Sequence, residues 1–283
     1  MERKNHMRKN WFITGASSGL GRMMSERLLR RGDEVIATVR REGALDDLQQ
    51  EYGDRLAVAI LDLTDKAGIR AVVDDAFARM RRIDVVVSNA GYGLFGAAEE
   101  LTDGQIDQQI ATNLTGSIQL IRAALPHLRR QGSGRILQVS SEGGQIAYPN
   151  FSLYHATKWG IEGFVESVAQ EVAPFGIDFI IVEPGPTSTN FGASLVRAAA
   201  MAAYDDTPAG ALRRAIAEGS FAVKGDAQRT TDAIISAADE LKPALRLVLG
   251  STAHNSISRA LAQRLAAIEA QREIAFSADR GPP

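Results

Sequence analysis

Seven short apolar runs recur along the chain, at Trp11–Thr14, Glu34–Val39, Leu56–Leu61, Ile83–Ser88, Arg135–Ser140, Ile177–Glu183 and Leu245–Leu249. Each is rich in β-branched or aliphatic residues without polar alternation, the pattern of strands buried on both faces. Longer stretches with helical spacing separate them. After Thr64-Asp65, for instance, Ile69, Val72, Val73, Ala76, Phe77 and Met80 fall on one stripe of a helix. Strands alternating with crossover helices predict an α/β fold, a doubly wound Rossmann-type sheet of seven parallel strands with helices on both faces.

The pattern is interrupted from Pro184 to Asp226, where Gly185, Pro186, Pro208, Gly210 and Gly225 break it up. Ser194–Tyr204 and Ala209–Glu218 keep helical spacing, so residues 186–225 are expected to form a short helical insertion. Following a strand's carboxyl end, it is placed to act as a substrate lid, with packing for stability alone as the alternative. Residues 251–283 include an amphipathic segment, Ile257–Ile274, and end in Gly-Pro-Pro, a tripeptide expected to be disordered. Residues 1–9 are basic but lack an apolar stretch long enough for a secretory leader, and are expected to be a flexible tail. With no low-complexity tract or proline-rich linker, 1–283 reads as a single catalytic domain.

Composition narrows the function. Hydrophobic residues make up 45% of the 283, enough for a sizeable core, and a net charge of −2 gives no basic surface for nucleic acid. There is no cysteine, which removes thiol chemistry and suits a reducing cytoplasm. His6, His127, His155 and His254 are scattered without ligand spacing, so no metal site is expected. No apolar run approaches the ~20 residues of a membrane span.

The chemistry concentrates in two places. The first is Thr14-Gly15-x-x-x-Gly19-x-Gly21, directly after the first strand and opening a helix. There Gly15 permits a tight bend, Gly19 close approach of a pyrophosphate to the backbone, and Gly21 close helix–sheet packing. Gly15-Ala16-Ser17-Ser18-Gly19 also fits the G-x-S-x-G elbow of serine hydrolases. That elbow follows an interior strand and borrows an oxyanion-hole N–H from an earlier loop, which so few preceding residues cannot provide. The second strand ends at Val39, where an NAD site would carry a carboxylate, and Arg40 and Arg41 follow. Guanidinium in that place welcomes a 2′-phosphate, so NADP(H) is expected in preference to NAD(H), the alternative being plain solvated arginines. Asp62 suits the adenine amine and Asn89-Ala90-Gly91 the ribose side, unless they are cap and turn residues. Pro184, Gly185, Thr187 and Thr189 offer backbone and hydroxyl groups to a carboxamide.

The second place is Tyr154-x-x-x-Lys158, with Ser141 thirteen residues before the tyrosine. On a helix this spacing sets phenol and ammonium on one face, where the cation favours phenolate. A carbonyl receiving hydride needs a proton donor and a second hydrogen bond. Tyr154 is expected to donate, Ser141 to orient, and Lys158, with the charge of oxidised nicotinamide, to depress the phenol's pKa. Asn113, disfavoured inside a helix, is expected to kink it and hold a relay water. His155 points about 100° away from Tyr154 and reads as structural. Phe95, Gln145, Tyr148 and Phe191, with Gly93 and Leu94, are expected to line an apolar substrate pocket.

These residues resemble the short-chain dehydrogenase/reductase family, from Trp11 to about Gly250. The resemblance implies a nicotinamide cofactor and a tetrad at Asn113, Ser141, Tyr154 and Lys158. It implies a pyrophosphate loop at Gly15, Ser17, Gly19 and Leu20, around Ser18, and an adenine contact at Asp62 and Leu63. It places Arg40 at the NADP(H) mark, Asn89 to Gly91 by the ribose, and Thr189 at the carboxamide, with Tyr154 and Lys158 also on the cofactor. The stretch from Gly225 to Gly250 is similar to a bacterial, steroid-dehydrogenase-like branch. A homodimer or homotetramer is implied. The chain departs from the family in carrying His155 where a serine is usual and in its long C-terminal tail. An NADP(H)-dependent ketone/aldehyde–alcohol oxidoreductase is therefore expected, against a non-catalytic NADP(H) sensor of the same fold. Sugar-nucleotide epimerisation would need a different glycine spacing.

Overall fold

The computed structural model describes residues 8–281. Residues 1–7 of the expected tail and the closing Pro-Pro lie outside the described residues. Lys9, assigned to that tail, is fixed: its N–H bonds Asp33 at 3.1 Å and its ammonium pairs with Asp239 at 2.6 Å.

The strands are β1 (Asn10–Ile13), β2 (Glu34–Val39), β3 (Leu56–Ile60), β4 (Val85–Ser88), β5 (Leu94–Phe95), β6 (Gly134–Val139), β7 (Ile177–Pro184), β8 (Val196–Arg197) and β9 (Arg246–Leu249). Seven of them form one sheet in the order β3-β2-β1-β4-β6-β7-β9, every pair parallel. The helices are α1 (Gly19–Arg31), α2 (Asp46–Tyr52), α3 (Lys66–Met80), α4 (Asp103–Ile110), α5 (Ser117–Gln131), α6 (Ser152–Val172), α7 (Pro208–Ala217), α8 (Ala227–Asp239), α9 (Ser251–Glu269) and α10 (Arg272–Ser277).

Strand side chains alternate between two apolar layers. Phe12, Ile36 and Val86 face Ile69, Val73, Leu120 and Ile161 of α3, α5 and α6, while Trp11, Ile13 and Val35 face Met24, Leu28 and Ile234 of α1 and α8. This is the doubly wound α/β sheet that the periodicity predicts. The expected stripe of α3 is buried at Ile69, Val73, Ala76 and Phe77, and the helix starts where Asp65 accepts from the N–H groups of Ala67 and Gly68, a cap worth about 1 kcal/mol. Between β1 and β4 the strand order reverses, and that switch point opens a crevice at the carboxyl ends of the strands.

Two local structures differ from expectation. Ser194–Tyr204 is not a helix: Val196–Arg197 pair with Leu94–Phe95 as a separate two-stranded parallel ribbon, followed by a turn at Ala202–Tyr204. Gly93 and Phe95 carbonyls accept from the N–H groups of Val196 and Ala198 at 2.9 Å each; this long-range pairing overrides local helical spacing. The second insertion helix forms as expected, as α7, capped by Thr207. Between α4 and α5, Ala111–Gly116 make a π turn.

Candidate active site

The glycine turn occupies the switch point. Gly15 has φ +68°, and a Cβ there would lie 2.8 Å from the Ala90 Cα. A Cβ on Gly21 would lie 2.4 Å from the Gly15 carbonyl oxygen and 2.6 Å from the Asn89 amide nitrogen. Both positions therefore demand glycine. Gly19 also has a left-handed φ, +56°, that favours glycine, but it faces open space, a Cβ there meeting nothing nearer than the Thr189 Cβ at 3.9 Å. No acidic residue lies in the first turn of α1, and the Ser18 side chain does not cap it. The first N–H groups thus face the crevice without a side-chain acceptor, a donor set that fits an anionic pyrophosphate.

Asn89 and Thr14 brace this turn. The Asn89 amide donates to the carbonyls of Thr14 and Gly15, at 2.9 and 3.2 Å, and the Thr14 hydroxyl accepts from the N–H groups of Asn89 and Ala90, at 3.0 and 3.1 Å. Gly91 abuts Asn113, 3.2 Å separating a Cβ there from the Asn113 side-chain oxygen. Arg40 is exposed beyond β2, close enough to Asp62 and Tyr92 to act on their charges. Asp62 folds back on Thr64, accepting from its N–H and hydroxyl at 2.8 Å each, which holds its carboxyl below the usual range. Leu63 is buried, its carbonyl against Gly116. After Pro184, Gly185 packs on Ala253 of α9, and the Thr187 hydroxyl donates to the Gly185 carbonyl at 2.8 Å. The Thr189 hydroxyl accepts from the Phe191 N–H at 3.3 Å.

Ser141, Tyr154 and Lys158 converge just beyond β6. Ser141 caps the turn Glu142–Gly144, accepting from the Gly143 N–H at 3.1 Å, and bonds the Tyr154 phenol. The Lys158 ammonium lies 5.5 Å from the Tyr154 ring centroid and donates to the Val139 carbonyl at 2.9 Å. Burial pushes the Tyr154 phenol up to about 12, against the Ser141 hydrogen bond and with help from the Glu142 and Glu162 charges. Burial also pulls Lys158 down to about 8, opposed by Glu162. Among the protein's own groups, desolvation of the phenol thus outweighs the Ser141 hydrogen bond that favours its ionised form.

Asn113 sits in the π turn, its side chain held on Tyr92: the amide donates to the Tyr92 carbonyl at 2.7 Å and the oxygen accepts from the Tyr92 N–H at 3.1 Å. Phe95, Tyr148 and Tyr154 share an apolar cluster with Phe151, Leu195, Leu212 and Ile216. The Phe191 ring stands 5.7 Å from that of Tyr154. Gln145 turns away from this cluster, its amide donating to buried Glu183 at 2.9 Å.

With this geometry in view, the relatives are informative. Residues 9–200 match the short chain dehydrogenase family model. The chain belongs to that family. It is 35% identical over 272 residues to the oxidoreductase BOA17 of Botryotinia fuckeliana, covering 96% of this chain and 99% of that protein. A short-chain dehydrogenase from Streptomyces avermitilis superposes with a TM-score of 0.89 at 39% identity, covering 97% of this chain and 100% of that one. The closed form of a serine dehydrogenase complexed with NADP+ aligns with a TM-score of 0.72 at 25% identity, over 85% of this chain and 94% of that one. Membership makes the protein an oxidoreductase acting on CH–OH and C=O groups with a nicotinamide cofactor.

In this family member, several contributors escape sequence reasoning. Phe151, Leu195, Leu212 and Ile216 reach the aromatic cluster only through tertiary packing. His155 braces the serine turn: one ring nitrogen contacts the Gly143 carbonyl at 2.8 Å, the other accepts from the Tyr148 N–H at 3.4 Å, and the ring packs edge-on to Tyr148. A neutral imidazole serves both contacts, and burial holds its pKa low. Glu100 pins the insertion, accepting from the Met201 N–H at 2.8 Å and from Arg213 at 2.6 Å. No local signal marked it: its carboxylate also accepts from the Ala97 N–H, but Ala97 has no side-chain acceptor to complete a capping box.

Proposed function

We propose that the protein interconverts a moderately hydrophobic ketone or aldehyde and its alcohol, with NADP(H) as the preferred and NAD(H) as a possible partner. The convergence of Ser141, Tyr154 and Lys158 beside the glycine turn carries this reading. The dinucleotide, when bound, supplies or accepts the hydride. Gly15, Ser17, Ser18, Gly19 and Leu20 would hold its pyrophosphate, with Asp62 and Leu63 at the adenine end, Asn89, Ala90 and Gly91 at the ribose, and Pro184, Gly185, Thr187 and Thr189 at the carboxamide.

In the reducing direction Tyr154, which retains its proton at neutral pH, donates its O–H to the carbonyl oxygen. Ser141 gives that oxygen a second hydrogen bond and so aligns it. Lys158, largely protonated at pH 7, stabilises the phenolate left behind and holds the ribose hydroxyls. The π turn carrying Asn113 bears on α6 where Leu114 meets Gly160, and supports a proton path from its backbone. Phe95, Tyr148, Phe151 and Phe191 exclude water around the reacting carbon, and the insertion at 186–225 acts as the lid.

Arg40 supports the NADP(H) preference, since the end of β2 carries no carboxylate and this guanidinium is exposed beside the crevice. A panel of aliphatic and aromatic ketones, read by loss of nicotinamide absorbance with NADPH and NADH in parallel, tests the reading. Turnover with NADPH, and an Arg40→Ala variant whose NADPH affinity falls about tenfold while NADH affinity holds, is expected. Tight NADPH binding without turnover of any carbonyl compound would favour a sensor. Among the described residues no helix is long and apolar enough to cross a membrane and no cluster of metal-ligating side chains occurs. We place the protein in the cytoplasm as a homodimer or homotetramer; Leu261, Leu265 and Ile268, exposed along α9, support an assembly contact that light scattering would reveal.

A further inference from the structure

Behind the proposed catalytic groups lies a buried ionic cluster built by four chain segments. Glu162, on α6, is 2% exposed, and Glu183, on β7, is fully buried. Arg246 of β9 reaches both, donating to Glu162 at 2.7 Å and forming a short ion pair with Glu183, while its other terminal nitrogen meets Glu166 at 2.7 Å. Two contacts tie the cluster to the serine turn. The Ser140 hydroxyl donates to Glu162 at 2.5 Å, and the Gln145 amide donates to Glu183 at 2.9 Å. Gly144 packs so closely on Glu162 that a Cβ there would fall 1.7 Å from its carboxylate oxygen. The turn holding Ser141 is thus fastened at both ends to carboxylates that one arginine holds in place.

Glu162 also follows Lys158 by one helical turn on the same helix face. We propose that Glu162 is a positioning residue, held by Arg246 of the last strand, that seats the Ser140–Ser141 turn and keeps a carboxylate beside the Lys158 ammonium. The inference rests on the oxidoreductase reading above, but its first test does not need turnover. The groups facing Glu162 are Lys158 and Glu166 from its own helix, Tyr154 one turn further back, Ser140 after β6, Glu183 from β7 and Arg246 from β9. Lys158 and Arg246 are the cations of this set, so removing the Glu162 charge takes support from Lys158 first: Arg246 keeps Glu183 and Glu166.

The test is a titration of Lys158 in the full-length protein, carrying 13C at lysine Cε and followed by NMR, with Lys158→Arg assigning the signal. Glu162→Gln is expected to lower the Lys158 midpoint by about one pH unit. On any panel ketone that the wild type reduces, kcat should fall about tenfold with KM within about twofold, the high-pH limb moving down with the lysine. Arg246→Lys, which keeps the charge and loses the fork, supplies a second reading. It should leave the Lys158 midpoint in place while kcat falls, because the turn loosens. An unmoved lysine midpoint in folded Glu162→Gln, or full kcat in folded Arg246→Lys, would overturn the proposal. A wild type that reduces no ketone would refute the oxidoreductase reading, while the lysine titration would still decide whether Glu162 and Lys158 are coupled.

Discussion

The glycine turn and the 186–225 insertion, both proposed above to enclose the ligands, are built on different principles. In the turn, backbone meets backbone: Gly15 lies against Ala90, Gly21 against the Gly15 carbonyl, and Asn89 clamps both strands. In the insertion, the chain is held by a few long-range contacts, the two-residue backbone pairing of the β5–β8 ribbon and the Glu100 side chain's bonds from the Met201 N–H and Arg213. Exposed apolar groups, Phe191 and Val196 among them, mark the second region, whereas Gly15 and Gly21 leave no volume to give. A turn closed by tight backbone contact thus differs from an insertion held by a few long-range contacts, the kind of segment that opens locally at lower cost.

Of the effects that bear on this contrast, the largest is expected at the glycine cradle. Gly21→Ala places a methyl against a carbonyl oxygen at 2.4 Å; a penalty of about 3 kcal/mol, or about 100-fold in NADPH affinity by fluorescence titration, is expected. Near-normal affinity would mean that this turn yields, and the contrast would fail.

Next is the lysine between the two regions. Between pH 8 and 10 an unfolded chain keeps the Lys158 proton while the folded one, with its midpoint near 8, does not. Stability should therefore rise through this window by on the order of 2–3 kcal/mol, a rise that Lys158→Met abolishes in denaturant titrations. Above pH 10, Tyr154, held protonated in the fold to about 12, works in the opposite direction.

Glu100→Ala leaves the Met201 N–H without its acceptor and takes from Arg213 its 2.6 Å partner, the 3.4 Å contact with Asp205 remaining. KM for a ketone should rise about tenfold and proteolysis of the insertion accelerate, with the Kd for NADPH changed by less than about twofold. Equal loss of cofactor affinity would show that cover and cradle are one unit. The smallest effect is expected for Leu195→Ala, which removes an apolar contact over Gly93 and should shift preference toward bulkier ketones by about threefold in kcat/KM.

The same contrast governs how far the sequence could be read. The strands, the cap of α3 and the Tyr154–Lys158 spacing follow from periods and separations of a few residues, and all appear close to their expected places. The β5–β8 ribbon pairs Leu94 with Val196 through two-residue strands, too short for any local pattern. Gln145 was expected at the pocket; its amide donates instead to Glu183, a fully buried carboxylate that only the tertiary fold brings to it. That burial raises the Tyr154 phenol and lowers Lys158 was not legible for a related reason: spacing reports proximity, whereas burial depends on the whole fold.

Tyr154→Phe tests the central claim most directly, since it deletes one oxygen from a ring already fixed among Phe151, His155 and Phe191. Single-turnover oxidation of bound NADPH by a ketone should slow by about 10²–10⁴-fold while the Kd for NADPH stays within a few-fold. A Phe variant that oxidises NADPH at the wild-type rate would show that this phenol does not carry the proton.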